Sequence, residues 1–423
     1  MRIHIIGINY WPEATGIAVF TTGRAEYLAA CGHEVNMCAA VPYYPEWRVA
    51  NEYRRRSFAV ERRGGVRIFR CPLYVPAIAT TFRRILHEGS FALAALARSL
   101  SMPRPDVLLI VSPPLGLSLV AFLLSCWWRA PYVFHVADLQ PDTALDLGMM
   151  KAGTVARFLY ALERFAYRHA AKVSTLTDAM RAKILAKDIP PKNVLLFSDW
   201  ADPRLFDLEP GRPDPEIRHE LRLDNDFIVL HAGNMGVKQG LHVVLEAARR
   251  TKDPTMRYVF VGDGVMRHEL EARARAMNLA NVRFLPLLDR GRFERLLAVA
   301  DLCLVTQQRT VADVVFPSKV LTLLAAAKPV VASVAAASEV ARVVKAAEAG
   351  EVVAPEDPDR LARAIAKLRG SKARRSQMAE SGRNYARRHW DRDRTLQHLA
   401  ARLERIMESH PHRMPAREAV RRS

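Results

Sequence analysis

The sequence has no long hydrophobic run, no paired-cysteine motif and no common nucleotide fingerprint, and each absence narrows what the chain can do. Its most apolar stretch, Leu115 to Trp128 (LGLSLVAFLLSCWW), is bounded by Pro113-Pro114 and Arg129. That falls short of the ~20 residues needed to span a bilayer, so the stretch reads as a buried core helix or an interfacial one. The five cysteines (Cys31, Cys38, Cys71, Cys126 and Cys303) are scattered and never spaced CxxC. A zinc site is excluded and a reduced cytosolic interior fits. A signal peptide is also missing: Ile3, Ile5, Ile6 and Ile8 make a strand-like run that ends at Asn9-Tyr10-Trp11-Pro12-Glu13. The first strand lacks a GxGxxG turn, which argues against a nicotinamide dehydrogenase. Three DxD pairs, Asp224/Asp226, Asp357/Asp359 and Asp391/Asp393, lie in polar turns or helices and read as incidental rather than as a metal site.

Acidic residues are in deficit, with 44 against 63 Lys and Arg, for a net charge of +19. Such an excess predicts an anionic partner: nucleic acid, an anionic membrane surface or phosphorylated substrates. At 423 residues, half of them apolar, the chain suits two globular domains of about 200 residues each.

The densest chemical signal runs from Phe227 to Ala248 (FIVLHAGNMGVKQGLHVVLEAA). Phe227–Ala232 reads as a buried parallel strand, and Leu241, Val244, Leu245 and Ala248 recur at helical spacing. The loop that joins them carries Gly233, Asn234, Gly236, Lys238, Gln239 and Gly240. Strand, glycine loop and helix make a natural phosphate site, because glycine lets backbone approach an anion and the first N–H groups of a helix point at it. Lys238 adds a mobile cation. Alone, this segment reads equally as an ordinary βα turn with a solvent lysine. Two further segments point the same way. The strand Tyr258–Val261 ends in Gly262-Asp263-Gly264, and Ser318-Lys319 opens a helix within Asp313–Ser333. Two lysine-bearing helix starts in one domain argue for a diphosphate better than either does alone.

In the first half, strands alternate with helices at the interval of a parallel, doubly wound sheet, where ligands bind beyond the carboxyl ends of strands. His135, Asp138, Gln140 and Asp142 cluster at such an end, in HVADLQPD. His135 could donate to a substrate hydroxyl or phosphate, and Asp138 or Asp142 could accept from sugar hydroxyls; helix capping is the alternative for the aspartates. The loop YWPEATGIAVF places Gly16 before a helix, suited to a phosphate, a sugar or a plain turn, and VPYYPEW (Val41–Trp47) can line a pocket. Residues 51–63 are strongly basic (Arg54, Arg55, Arg56, Arg62, Arg63). Residues 76–100 make a basic amphipathic helix, with Arg83 and Arg84 beside Phe82, Ile85 and Leu86, that can lie on an anionic leaflet or face the core. His87 and Glu88 sit mid-segment. Prolines 203, 210, 213 and 215 mark a connection, and alternation restarts at Phe227. The predicted domains are 1–205 and 206–385, followed by a helical end and a frayed basic tail at 409–423.

In chain order, INYWPEATGI, VPYYPEW, RCPLYVP with RILHEGSFA, HVADLQPD, HAGNMGVKQGL, VGDG and FPSKVLTLLAAAKPVVA resemble the motifs of GT-B glycosyltransferases of family 4. More narrowly they are similar to the WcaI-type colanic acid fucosyltransferases and related amino-sugar transferases. The resemblance implies an α/β fold of two Rossmann-like, doubly wound parallel-sheet domains facing across a cleft, with no cofactor and no bound metal. It puts the donor diphosphate at Gly233, Asn234, Lys238, Ser318 and Lys319, with Gly236 and Gln239 in the same loop. Gly262, Asp263 and Gly264 match the loop behind the sugar nucleotide, Pro286 and Leu287 the stretch near the base, and Gly16 a loop that closes on the donor. His135 and Asp138 match the acceptor-side catalytic strand end, and Tyr10, Glu13, Tyr43, His87 and Asp142 complete the acceptor side. The last helix of such folds crosses back to the first domain, as residues 386–405 would. Three positions depart from the family: Asn234 replaces a common Arg, Thr322 a Glu that contacts the donor ribose, and Val314 that Glu's partner. Chains of the WcaI type share the first two.

The implied activity is retaining transfer of a fucose- or amino-sugar-type residue from a GDP- or UDP-linked sugar to a polyprenyl-diphosphate-linked glycan, in cell-surface polysaccharide biosynthesis. The enzyme is expected in the cytoplasm, peripheral on the anionic inner face of the plasma membrane, without nucleic acid as partner. Two rivals stay open: a nucleotide-sugar 2-epimerase of the same fold, and a non-catalytic basic protein that binds membrane or nucleic acid.

Overall fold

The computed structural model describes every residue except 15, 55–57, 78–80, 147–149, 151–152, 210–213, 224–225, 311–315 and 411–423. Arg55, Arg56, Pro210, Pro213, Asp224, Val314 and nearly all of the basic tail therefore lie outside the described residues. The chain divides into two compact units, Met1–Ser198 with Asp393–Ser423, and Asp199–Arg392.

The first unit is built on β1 (Arg2–Ile6), β2 (Glu34–Ala40), β3 (Val60–Arg63), β4 (Val66–Cys71), β5 (Val107–Ser112), β6 (Tyr132–Val136), β7 (Lys172–Thr175) and β8 (Val194–Leu196). Their order is β3-β4-β2-β1-β5-β6-β7-β8. Neighbours are parallel except β3, which pairs antiparallel with β4. β5 and β6 are buried along their whole length, which is why VLLIV reads as continuous rather than alternating: helices cover both faces of a parallel sheet. β3 (VERR) was hidden in the basic stretch 51–63. It is an edge strand, and charge on an edge discourages further pairing.

Helix Leu117–Trp128 carries features of both readings of the apolar run, core and interfacial. It buries Leu117, Val120, Ala121 and Leu124 but leaves Leu119, Leu123 and Trp127 exposed, Trp127 by 69%. Among the described residues no helix is long and apolar enough to cross a membrane.

The second unit holds β9 (Phe227–Ala232), β10 (Met256–Val261), β11 (Val282–Leu285), β12 (Leu302–Thr306), β13 (Val330–Ser333) and β14 (Gly350–Val353), in the order β11-β10-β9-β12-β13-β14. All pairs are parallel. Strand order reverses at β9/β12, the switch point where such sheets open a crevice beyond their carboxyl ends. Helices His242–Arg250 and Pro358–Arg369 cover one face, with Val244, Leu245, Leu361 and Ile365 packed on Val229, Tyr258 and Phe260. The connection is not bare chain: Asp214 caps a helix at Pro215–Glu220. The chain beyond Ser371 forms two helices. Lys372–His389 stops at Trp390, and the next helix, Arg392–Glu408, belongs to the first unit from Asp393 onward.

Candidate active site

The second unit gathers its glycine loops beyond the ends of β9 and β10. Gly233 leaves β9 with φ +117, and its N–H donates to the Val261 carbonyl at 2.9 Å. The Met235 N–H donates to the Asp263 carbonyl at 2.8 Å. The loops lie so close that a Cβ on Gly262 would collide with the Gly233 carbonyl, and one on Gly264 would lie 2.6 Å from Asn234 Oδ1. Glycine is therefore demanded by approach as well as by φ. Gln239 holds the loop shut on itself, its Oε1 accepting from the Gly236 N–H at 3.1 Å. The Gln308 N–H donates to the Lys238 carbonyl at 2.9 Å, tying the loop to the segment that follows β12.

Lys319 enters this nest from another element. It begins the helix Lys319–Ala325 behind Ser318, which makes no capping hydrogen bond through its side chain. A Cβ on Gly233 would stand 3.6 Å from Lys319 Nζ. The stem is partly exposed, but Nζ itself is buried and has no hydrogen-bond partner. Burial, and then the nearby charge of Lys238, push its pKa down to about 8. A desolvated ammonium beside a second cation, with no acceptor, is unfavourable unless an anion completes it. His231, at the end of β9, is held neutral by burial and by the Lys319 charge. Thr306 Oγ1, at the end of β12, is buried without a partner. Neither His231 nor Thr306 was singled out from the sequence; a polar residue at the carboxyl end of an otherwise apolar strand was the available signal. Asp263 and Leu287 are exposed, Pro286 follows β11, and Thr322 lies half-buried one turn into the Lys319 helix.

Lys328, which the sequence showed only as the residue before a strand, is 2% exposed. Its Nζ donates to the carbonyls of Ala298 (2.7 Å) and Ala300 (2.9 Å), so it secures the end of a helix.

In the first unit Glu13 is a tie. Its Oε1 accepts from the N–H groups of Tyr43 (3.0 Å) and Tyr44 (2.9 Å), and its Oε2 from Asn9 Nδ2 (2.8 Å). The loop after β1 thereby holds the VPYYPEW loop. Tyr10 is buried, its hydroxyl unpartnered, and Gly16, with φ +61, stands at the start of helix Ile17–Ala30. Tyr43 and His87 meet edge to face at 4.7 Å. His135 is 1% exposed, with Nδ1 at 3.0 Å from Ser174 Oγ; burial first, and the charge of Arg24 second, hold its pKa well below the usual value. Asp138 accepts from the Thr143 hydroxyl at 2.6 Å. Asp142 is placed differently from the expected hydroxyl acceptor. Lys187 Nζ lies 2.6 Å from both Asp142 and the buried Glu163, and the Tyr160 hydroxyl donates to Asp142 at 3.4 Å. Its carboxylate is thus engaged in an internal ion cluster.

A family model described as a glycosyl transferase 4-like domain matches residues 15–200, and one described as glycosyl transferases group 1 matches residues 213–385. WcaI of Escherichia coli (strain K12), named for colanic acid biosynthesis, is 38% identical over 331 residues, 77% of this chain and 81% of the relative. The chain belongs to the family 4-like glycosyltransferases. Solved glycosyltransferases share its fold. Sucrose-phosphate synthase from Thermosynechococcus elongatus superposes with a TM-score of 0.75 at 18% identity, over 96% of this chain and 99% of that one. HepE of Anabaena, solved with UDP-glucose, gives 0.71 at 16% identity over 96% and 100%. The glycosyltransferase therefore has the GT-B type of fold, with two parallel-sheet α/β units.

Proposed function

We propose that this glycosyltransferase moves a fucose- or amino-sugar-type residue, with retention, from a nucleoside diphosphate sugar to a lipid-linked glycan in the biosynthesis of a cell-surface polysaccharide. The observation that carries the donor half is the enclosed, unpartnered Nζ of Lys319 beside Gly233 and within reach of the Lys238 charge. A diphosphate supplies the missing acceptors. As the bond from the anomeric carbon to phosphate breaks, its electron pair goes to the diphosphate. Lys238, Lys319 and the loop N–H groups neutralise that charge as it develops, which lowers the barrier more than it strengthens ground-state binding. The protein's own cations carry this role in our reading. The polysaccharide assignment is supported by the likeness to WcaI, and UDP-glucose in HepE supports a nucleotide-linked donor.

The membrane half of the reading is supported by the first unit's surface. Helix Thr81–Leu100 packs on Leu117–Trp128, which packs on Thr154–His169. All three expose apolar side chains, among them Phe82, Leu93, Leu123, Trp127 and Phe158, near the exposed Arg83, Arg157 and Arg164. Apolar insertion combined with arginine suits an anionic leaflet. A screen of GDP-fucose, UDP-N-acetyl sugars and other common donors, read by thermal melt and by slow hydrolysis without acceptor, tests the donor assignment. One class is expected to raise the melting temperature and to be hydrolysed; a protein indifferent to every nucleotide sugar overturns it.

A further inference from the structure

The VPYYPEW loop and helix Thr81–Leu100 enclose a group of side chains that the donor chemistry does not use. His87 is 3% exposed. Its Nδ1 lies 2.6 Å from the Tyr74 carbonyl, and a carbonyl can only accept, so Nδ1 carries the proton and Nε2 is left as an acceptor. That Nε2 is buried and meets no donor. Burial, opposed by the Tyr74 carbonyl and reinforced by Arg84, lowers the ring's pKa, which keeps the lone pair available. Leaving a buried acceptor unmet costs roughly 1–3 kcal/mol, a cost a ligand hydroxyl removes.

The walls of this group are aromatic. Trp47 lies 5.3 Å from the His87 ring and 5.7 Å from Tyr43, and it is only half-buried. Its φ is +51, a conformation that costs a bulky side chain about 1–3 kcal/mol and persists where surroundings or function require it. The Arg84 guanidinium sits 5.7 Å from the indole centre. One residue beyond His87, Glu88 accepts from Gln140 Nε2 at 3.1 Å. Burial pushes its carboxyl up to about 7, with Gln140 and Arg84 opposing and Asp138 assisting. Its carboxylate is thus engaged by Gln140.

An aromatic face beside an unmet hydrogen-bond acceptor matches a pyranose, which presents C–H groups on its face and O–H groups on its rim. We propose that Trp47 and His87 form the subsite for a neutral sugar ring of the acceptor, with the indole against the ring face and His87 Nε2 accepting from one of its hydroxyls. This deepens, and rests on, the reading that the first unit binds a glycan acceptor.

The test uses the full chain and named probes: the methyl glycosides of glucose, galactose, N-acetylglucosamine and fucose, with inorganic pyrophosphate as the anionic alternative. Binding is read by saturation-transfer NMR titration, and the melting shift given by UDP and GDP is recorded for each variant. At least one glycoside is expected to bind the wild type. Trp47→Ala and His87→Phe should each weaken it by about tenfold or more, and Trp47→Phe by less than about threefold, with the nucleotide shift unchanged in all three. Glycosides that bind wild type and variants alike, no glycoside binding at all, or pyrophosphate displacing them would each overturn the subsite. Failure of UDP and GDP to shift the wild-type melt strikes instead at the donor reading, so the two failures are distinct.

Discussion

Lys319 has its ammonium buried where no acceptor meets it, and two consequences follow for measurements. Removing its companion, Lys238→Ala, should lower turnover at least ~100-fold, the scale set by losing one transition-state donor; near-normal steady-state turnover would count against the assignment. The second concerns pH. The free-enzyme pKa of Lys319 is pushed down to about 8, and an anion binds the charged form. Below pH 8 the ammonium is already protonated and nucleotide affinity should be flat. Above it, affinity should fall by up to about tenfold per unit of pH, since each binding event must first restore the proton. Titrations of UDP or GDP from pH 7 to 9.5 check this, and a flat profile would show that Lys319 does not meet the ligand. The lysine itself was legible from its place at a helix start. Its burial was not, because Gly233 and Lys319 lie far apart in sequence and only the packing of β9 beside β12 brings them together.

Among elements, the strand-loop-helix units around Gly233 and Gly262 were the most readable, since a short apolar run that stops at glycine is the pattern of a buried strand and its turn. Their mutual contact was invisible in sequence. It yields a prediction: Gly264→Ala places a Cβ 2.6 Å from Asn234 Oδ1 at φ +150, so the loop must shift, at roughly 1–3 kcal/mol. Nucleotide affinity should fall by about tenfold or more while the far-ultraviolet CD spectrum is retained; unchanged affinity would show that this loop does not border the donor. Short or polar strands were missed for a physical reason. VERR at β3 and GEVV at β14 have no apolar run to announce them and depend on a neighbouring strand for pairing. The run Leu115–Trp128 left two readings open, core or interfacial, because an apolar composition does not say which face stays uncovered. Its exposed side sets a further expectation. Leu123→Ser with Trp127→Ser should reduce co-sedimentation with anionic liposomes, and salt should reduce the remainder; binding unaffected by either would remove this helix from the membrane account.

Over the whole molecule, the succession of strands and helices was enough to anticipate two doubly wound sheets, because parallel pairing forces the βα alternation that the apolar pattern displays. The basic excess of +19 pointed to anionic chemistry in general but did not locate it. Part of it is taken up internally, as where Arg63 pairs with Glu26 and lies over Trp11 and Lys187 joins Asp142 to Glu163. Our proposal places that chemistry at the unpaired ammonium of Lys319. The most direct measurement is calorimetric titration of UDP and GDP into the wild type and Lys319→Met at pH 7. The account predicts binding in the wild type and a loss of roughly tenfold to a hundredfold in the variant. Equal affinity in the two proteins would contradict it.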